Sequence, residues 1–247
     1  MMNKKMKYAV YLLTTCMVSA SLSLSAQAAI ALDRTRAIFP GSEKNLALNI
    51  SNDSQKKPYL AQAWLEDAKG NKLADYLTLT PPLQRVEPAG KSVIRVTALP
   101  SVASLPQDRE SLFWFNLREV PPKSDRPNVL QVALQTKIKL FYRPASIIPE
   151  RYSRQDTELV LHKTAGGYRV ENPTPYFQTV IGVTGGKKQK VSQNFSPVMV
   201  APKSSETLQS GQFSSPHLVS INDFGGRAVM PFVCQGDVCR ASPAEAD

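Results

Sequence analysis

Asn128-Val129-Leu130-Gln131-Val132-Ala133-Leu134-Gln135-Thr136-Lys137-Ile138-Lys139-Leu140-Phe141 is the stretch on which the fold turns. Leu130, Val132, Leu134, Thr136, Ile138 and Leu140 fall on one face of an extended chain, and Gln131, Ala133, Gln135, Lys137 and Lys139 fall on the other. Period two is the signature of a β-strand, and no Pro or Gly interrupts it. At about 3.3 Å per residue the run could extend roughly 45 Å, against a usual strand of about 5 to 6 residues. If such a strand lies at an edge, its apolar face invites pairing with another chain. If it is interior, it is simply a long strand of a sandwich, and the periodicity leaves both readings open.

Working outward, the same alternation recurs. Leu46, Leu48 and Ile50 alternate with polar residues, Tyr59 to Leu65 is β-rich around Trp64, and Val93 to Thr97 follows the turn-like Glu87-Pro88-Ala89-Gly90. Leu112-Phe113-Trp114-Phe115 is continuously apolar, as a central strand covered on both faces would be. Further strands are expected at Glu158 to Leu161, Tyr168 to Glu171, Thr179 to Val183, Val198 to Val200 and Val229 to Val233, with Gly166-Gly167, Gly185-Gly186 and Gly225-Gly226 as turns. The 19 prolines punctuate these runs and exclude long helices. The spacing favours an all-β chain of sandwich type. A break at Arg143-Pro144-Ala145-Ser146 divides it into two domains of about the common size, the alternative being a kink inside one barrel.

The first residues read as a secretory leader: Lys4, Lys5 and Lys7, an apolar stretch from Ala9 to Val18, then the small residues Ser25-Ala26-Gln27-Ala28. Cleavage is expected after Ala28, which leaves residues 29–247. The formal charge then falls from +10 to +7, since three lysines leave with no acid. The basic balance points to an anionic surface or partner, because exported proteins rarely meet nucleic acid, or is simply a solvated surface with no steering role. Cys16 leaves with the leader, and Cys234 and Cys239 remain. Their C-x4-C spacing in an oxidising compartment suits a hairpin bridge better than a metal site. A redox-active pair would want the C-x-x-C spacing that is missing.

Chemistry is hard to find. Only His162 and His217 are present, no G-x-S-x-G surrounds a serine and no H-E-x-x-H occurs, so the common exported hydrolase designs lack their central groups. Gly185-Gly186-Lys187-Lys188-Gln189-Lys190 lacks both Walker A spacing and RNA-binding aromatics and reads as a charged turn. No enzyme activity, cofactor, metal or nucleic acid is expected.

Several segments together resemble the periplasmic pilus-chaperone family over essentially the whole exported chain. They include Leu32-Asp33-Arg34-Thr35-Arg36, Tyr59-Leu60-Ala61-Gln62-Ala63-Trp64, Leu105-Pro106-Gln107-Asp108-Arg109-Glu110-Ser111, Phe115-Asn116-Leu117-Arg118-Glu119, Lys137 to Pro144, Glu171-Asn172-Pro173-Thr174-Pro175 and Ile221-Asn222-Asp223. The resemblance implies two immunoglobulin-like β-sandwich domains in an L- or boomerang-shaped arrangement, residues 29–146 and 147–247. It implies that pilus subunits, both pilins and a tip adhesin, are bound by donor-strand complementation in the periplasm and delivered to an outer-membrane usher. Arg36 and Lys139 match the cations that hold the subunit's C-terminal carboxylate. Leu130, Val132 and Leu134 match the donor residues. Glu110, Arg143 and Asp223 match the interdomain charge bridge, and Pro121 to Pro127 looks like the connection of the short-loop branch. A dimer that caps its own exposed strand when idle is a further expectation. The chain could instead be a pilus subunit, but the match includes the chaperone's cations and its own long strand.

Overall fold

Proline and glycine cut the chain into short extended runs, and the computed structural model shows how these pair. It describes residues 28–242 apart from Ala74, Arg126 and Tyr152. All of the expected leader except Ala28, and with it Cys16, falls outside the described residues. Among them, no helix is long and apolar enough to cross a membrane.

Among the described residues the first half contains nine strands: β1 (Ile30–Leu32), β2 (Arg36–Pro40), β3 (Asn45–Asn52), β4 (Tyr59–Glu66), β5 (Leu77–Thr80), β6 (Leu83–Val86), β7 (Lys91–Ala98), β8 (Ser111–Val120) and β9 (Gln135–Arg143). They form a sheet of order β1-β3-β7-β5 and a second of order β2-β9-β8-β4-β6. Alternate residues of both sheets, among them Leu48, Ile50, Ile94, Val96, Phe115, Leu117 and Leu140, meet in one core. Each such fully buried large apolar side chain contributes about 1.5–3 kcal/mol. The β6–β7 turn places Ala89 at φ 53°, and the Gly90 N–H donates to the Glu87 carbonyl. On β8, Phe113, Phe115 and Leu117 are buried while Leu112 and Trp114 are only half-covered, so the central strand is closed fully on one face alone.

The chain's first extended segment serves both sheets. β1 pairs antiparallel with β3, and after Asp33–Thr35 the backbone crosses to pair β2 parallel with β9, in the register Arg36↔Lys139 to Pro40↔Arg143. Ala37 and Phe39 enter the core, which turns Arg36 to the opposite face.

The second half holds β10 (Val160–Thr164), β11 (Gly167–Asn172), β12 (Gln178–Thr184), β13 (Val198–Val200), β14 (Ser204–Gln209), β15 (His217–Ile221), β16 (Arg227–Gln235) and β17 (Val238–Ala241). The pairing order is β13-β12-β15-β16-β17-β10-β11-β14. β16 pairs with β15 over Arg227–Pro231 and with β17 over Phe232–Gln235, so it links two groups of strands around a core of its own. That core includes Leu161, Tyr168, Val170, Val180, Leu208, Leu218, Met230 and Phe232 and shares no buried residue with the first. Cys234 and Cys239 are directly opposed in the β16–β17 hairpin and form a disulfide.

Two expectations are corrected in detail. The strand expected from Glu158 begins at Val160. The long run 128–141 is strand only from Gln135; residues 128–134 are outside any ladder and all are exposed. A strand exists only where backbone groups find partners, and this segment meets β8 through little more than the Glu119 N–H donating to the Leu134 carbonyl at 3.0 Å.

Candidate functional site

The site begins with the β2–β9 pairing. In a parallel ladder, register partners project to the same face, so Arg36 and Lys139 stand side by side. Arg36 Nη1 donates to the Ile221 carbonyl at 3.1 Å, and Lys139 Nζ donates to Thr179 Oγ1 at 3.4 Å. Among the described residues neither forms an ion pair. Burial lowers the pKa of Lys139 and the Arg36 charge lowers it further; burial also lowers that of Arg36, against the pull of Asp223 and Glu110. Two half-buried cations held together, with neutral oxygens as their hydrogen-bond acceptors, leave positive charge that an anion could neutralise.

From this point the two strands diverge. β2 accompanies β9 only from Lys139 onward, so among the described residues the side of Gln135 to Ile138 that faces away from β8 has no strand beside it. A groove of about 450 Å³ opens there, lined in part by Ala31, Leu32, Thr35, Thr136, Lys137 and Ile138. The apolar row changes character along its length. Leu140 and Ile138 fill the domain's own core, whereas Leu134 is 40 % exposed, Val132 63 % and Leu130 89 %. Leaving three aliphatic side chains this exposed in sequence is costly for an isolated chain and is the mark of an unfilled interaction surface.

In the other direction the face of β9 that carries Lys139 runs into the second domain. Phe141 stacks on Phe177 with centroids 5.2 Å apart. Arg143 follows, almost wholly buried: Nη2 lies 2.7 Å from Glu110 Oε1, Nη1 lies 2.8 Å from Asp223 Oδ2, and the guanidinium sits 4.9 Å from the Tyr176 ring centroid. Glu110 Oε2 accepts the Phe177 N–H at 2.7 Å, so this carboxylate also reaches across the junction. Burial pushes the Glu110 carboxyl up, and Arg143 opposes it. The turn carrying Asp223 approaches Thr35 so closely that a Cβ at Gly225, whose φ is 80°, would collide with Thr35 Oγ1.

The structure therefore brings Arg36 and Lys139 together, joins Glu110, Arg143 and Asp223 in one network, and leaves Leu130, Val132 and Leu134 exposed on a single run. It adds Thr179, the Ile221 carbonyl, Phe177 and Tyr176, none of which the sequence reading had given a role at the site. Tyr176 and Phe177 directly follow the segment Glu171–Pro175 and Ile221 opens Ile221–Asp223, but a backbone carbonyl acceptor leaves no compositional trace. His162 lies 2.8 Å from Glu171 on the neighbouring strand, and the lysines of 187–190 are exposed in a turn region, both apart from this site.

Residues 29–148 match the family described as pili and flagellar-assembly chaperone, PapD N-terminal domain, and residues 155–231 match the pili assembly chaperone PapD, C-terminal domain. The chain belongs to the PapD-like pilus-chaperone family. Chaperone protein PapD of Escherichia coli is 53 % identical over 215 residues, 87 % of this chain and 90 % of that protein. The crystal structure of the periplasmic chaperone SfaE is 32 % identical with a TM-score of 0.66, covering 83 % of this chain and all of that one. A chain from the complex of the Salmonella enterica SafA pilin with the SafB chaperone superposes with a TM-score of 0.71 at 27 % identity, covering 85 % and 98 %. The PapD-like relatives are chaperones, and the two sandwiches described above are the domains of that family.

Proposed function

We propose that this chain is a periplasmic pilus-assembly chaperone that captures subunits by donating a strand. Arg36 and Lys139 hold the subunit's C-terminal carboxylate through charge-assisted hydrogen bonds, which are roughly twice as strong as neutral ones. The subunit's last strand then lies along the open edge of β9, and Leu130, Val132 and Leu134 enter the groove where the subunit lacks a strand, in the manner of β-augmentation. Fixing one end fixes the register, and a one-residue slip would present Gln131, Ala133 and Gln135 instead. The observation that carries this reading is the coincidence of three features: paired cations with no ion-pair partner among the described residues, the open strand edge starting next to them, and an exposed apolar row continuing from that edge.

The two domains divide at Ser146/Ile147, as residues 29–146 and 147–247, and the Glu110–Arg143–Asp223 network fixes the angle between them. The run from Pro121 to Pro127 supports membership of the short-loop branch. Pilins and the tip adhesin are the cargo, an outer-membrane usher receives them, and the idle chaperone covers its exposed row with a second copy. Leu134→Asp tests donation directly. Replacing one seated leucine, worth about 1.5–3 kcal/mol of burial, with a carboxylate should weaken binding of a purified pilin by about tenfold or more in calorimetric titration. An unchanged Kd would exclude this face as the donor.

A further inference from the structure

The start of the exported chain and the root of the exposed row meet at one carboxylate. Glu119, near the end of β8, is only 6 % exposed. Its Oε2 accepts the backbone N–H of Ala29 at 2.7 Å and of Ile30 at 3.1 Å. Its Oε1 accepts the N–H of Leu134 at 3.4 Å, while its own N–H donates to the Leu134 carbonyl. Among the described residues no Lys, Arg or His forms an ion pair with it. Buried carboxylates normally have a cation, because desolvation of the charge is otherwise uncompensated. The missing cation has an obvious source: cutting the chain after Ala28 turns the Ala29 nitrogen from an amide into an ammonium at the atom that already lies 2.7 Å from Oε2.

We propose that Glu119 is the binding site for the α-ammonium of Ala29, and that removal of the leader thereby locks the point where the donor row leaves the sheet. The inference rests on reading residues 1–28 as a cleaved leader. In the uncut chain Ala29 offers Glu119 an uncharged N–H donor; in the cut chain the same nitrogen is an ammonium, so both partners are charged and the contact supplies the counter-charge. Little rearrangement is needed, since Ile30 is already fixed opposite Asn52 in the β1–β3 ladder. The link to the row is equally direct. Leu134 is held through both its N–H and its carbonyl by the single residue Glu119, so a carboxylate drawn firmly to the N-terminus holds the backbone from which Leu130 and Val132 extend. Processing then does more than release the protein from its export signal: it completes the clasp.

Four full exported chains test this: the native chain starting at Ala29, the same chain with Glu119→Gln, the chain with one glycine added before Ala29, and the chain with both changes. The mass of the exported native protein establishes its first residue independently; a start other than Ala29 overturns the leader reading itself, whatever Glu119 does. In purified chains the added glycine and Glu119→Gln should each lower the thermal midpoint by about 3 °C or more. Together they should lower it no further than the larger single effect, because both remove the same ion pair. Hydrogen exchange at the Leu134 amide should quicken about tenfold in each. The glycine chain keeps Glu119, so it remains informative even if Glu119→Gln folds poorly. A midpoint and an exchange rate indifferent to the added glycine, or fully additive effects, would overturn the proposal.

Discussion

Replacing Arg143 with leucine removes the cation from the most deeply buried charge network among the described residues. The Arg143 side chain is 6 % exposed and that of Glu110 1 %, whereas that of Asp223 is 29 % exposed. The cost therefore falls mainly on Glu110, left as a buried carboxylate whose remaining partner is the Phe177 N–H. Breaking a buried pair on one side costs about 3–5 kcal/mol, which for a chain of this size is a fall in thermal midpoint of about 10 °C. Adding Glu110→Gln should recover much of the loss, because glutamine keeps an oxygen for the Phe177 N–H without the uncompensated charge; the double variant should lie within about 1–2 kcal/mol of the native protein. The pH dependence has a definite sign. Burial raises the folded-state pKa of Glu110, so its carboxyl contributes stability that is present below the unfolded value of about 4.3 and lost as pH rises through the folded value. Without Arg143 that pKa rises further, and the deficit of Arg143→Leu should shrink from pH 7.5 to pH 5. Scanning calorimetry at both pH values is the assay. A single variant as stable as the native chain, a double variant worse than the single, or a deficit that grows on acidification would refute the reasoning.

Two further outcomes follow from the same structure. Lys139 has its folded-state pKa lowered by burial and by Arg36, so its charge opposes folding at neutral pH and the cost disappears as pH rises towards the unfolded value of about 10.4. In urea titrations the native protein should therefore gain stability relative to Lys139→Ala between pH 7 and pH 10, and a relative loss would contradict the assignment. The Cys234–Cys239 bridge closes a short hairpin, so replacing both cysteines with alanine should cost only about 2 kcal/mol and leave pilin binding intact; denaturant unfolding together with a binding titration checks both parts.

What the sequence made legible was what depends on local alternation. β3, β4, β7 and β11 appear where Leu48, Trp64, Ile94 and Tyr168 predicted them, because one buried face imposes period two. β14 was unreadable: in Ser204–Gln209 only Leu208 is buried, and the strand exists because β11 pairs with it along its whole length. The parallel pairing of β2 with β9 was equally hidden. It joins residues about a hundred positions apart, and no local pattern records which sheet a strand will enter after a crossing such as Asp33–Thr35. Resemblance pointed to Arg36 and Lys139; only the register shows that they are neighbours, and only the three-dimensional packing reveals Thr179 and the Ile221 carbonyl beside them. The run 128–141 is the instructive case. Its alternation is genuine throughout, yet half of it is not strand, because alternation describes what a segment can bury and pairing depends on whether a partner is present.

A pilin's terminal carboxylate should be held by the paired cations at the mouth of the open β9 edge. Co-purification from the periplasm of this chain with a co-expressed pilin, native against Lys139→Ala, tests it most directly. The account predicts a one-to-one complex for the native chain and a loss of about tenfold or more in recovered pilin for a variant that remains folded, the worth of one charge-assisted contact. Undiminished capture by a well-folded Lys139→Ala protein would contradict it.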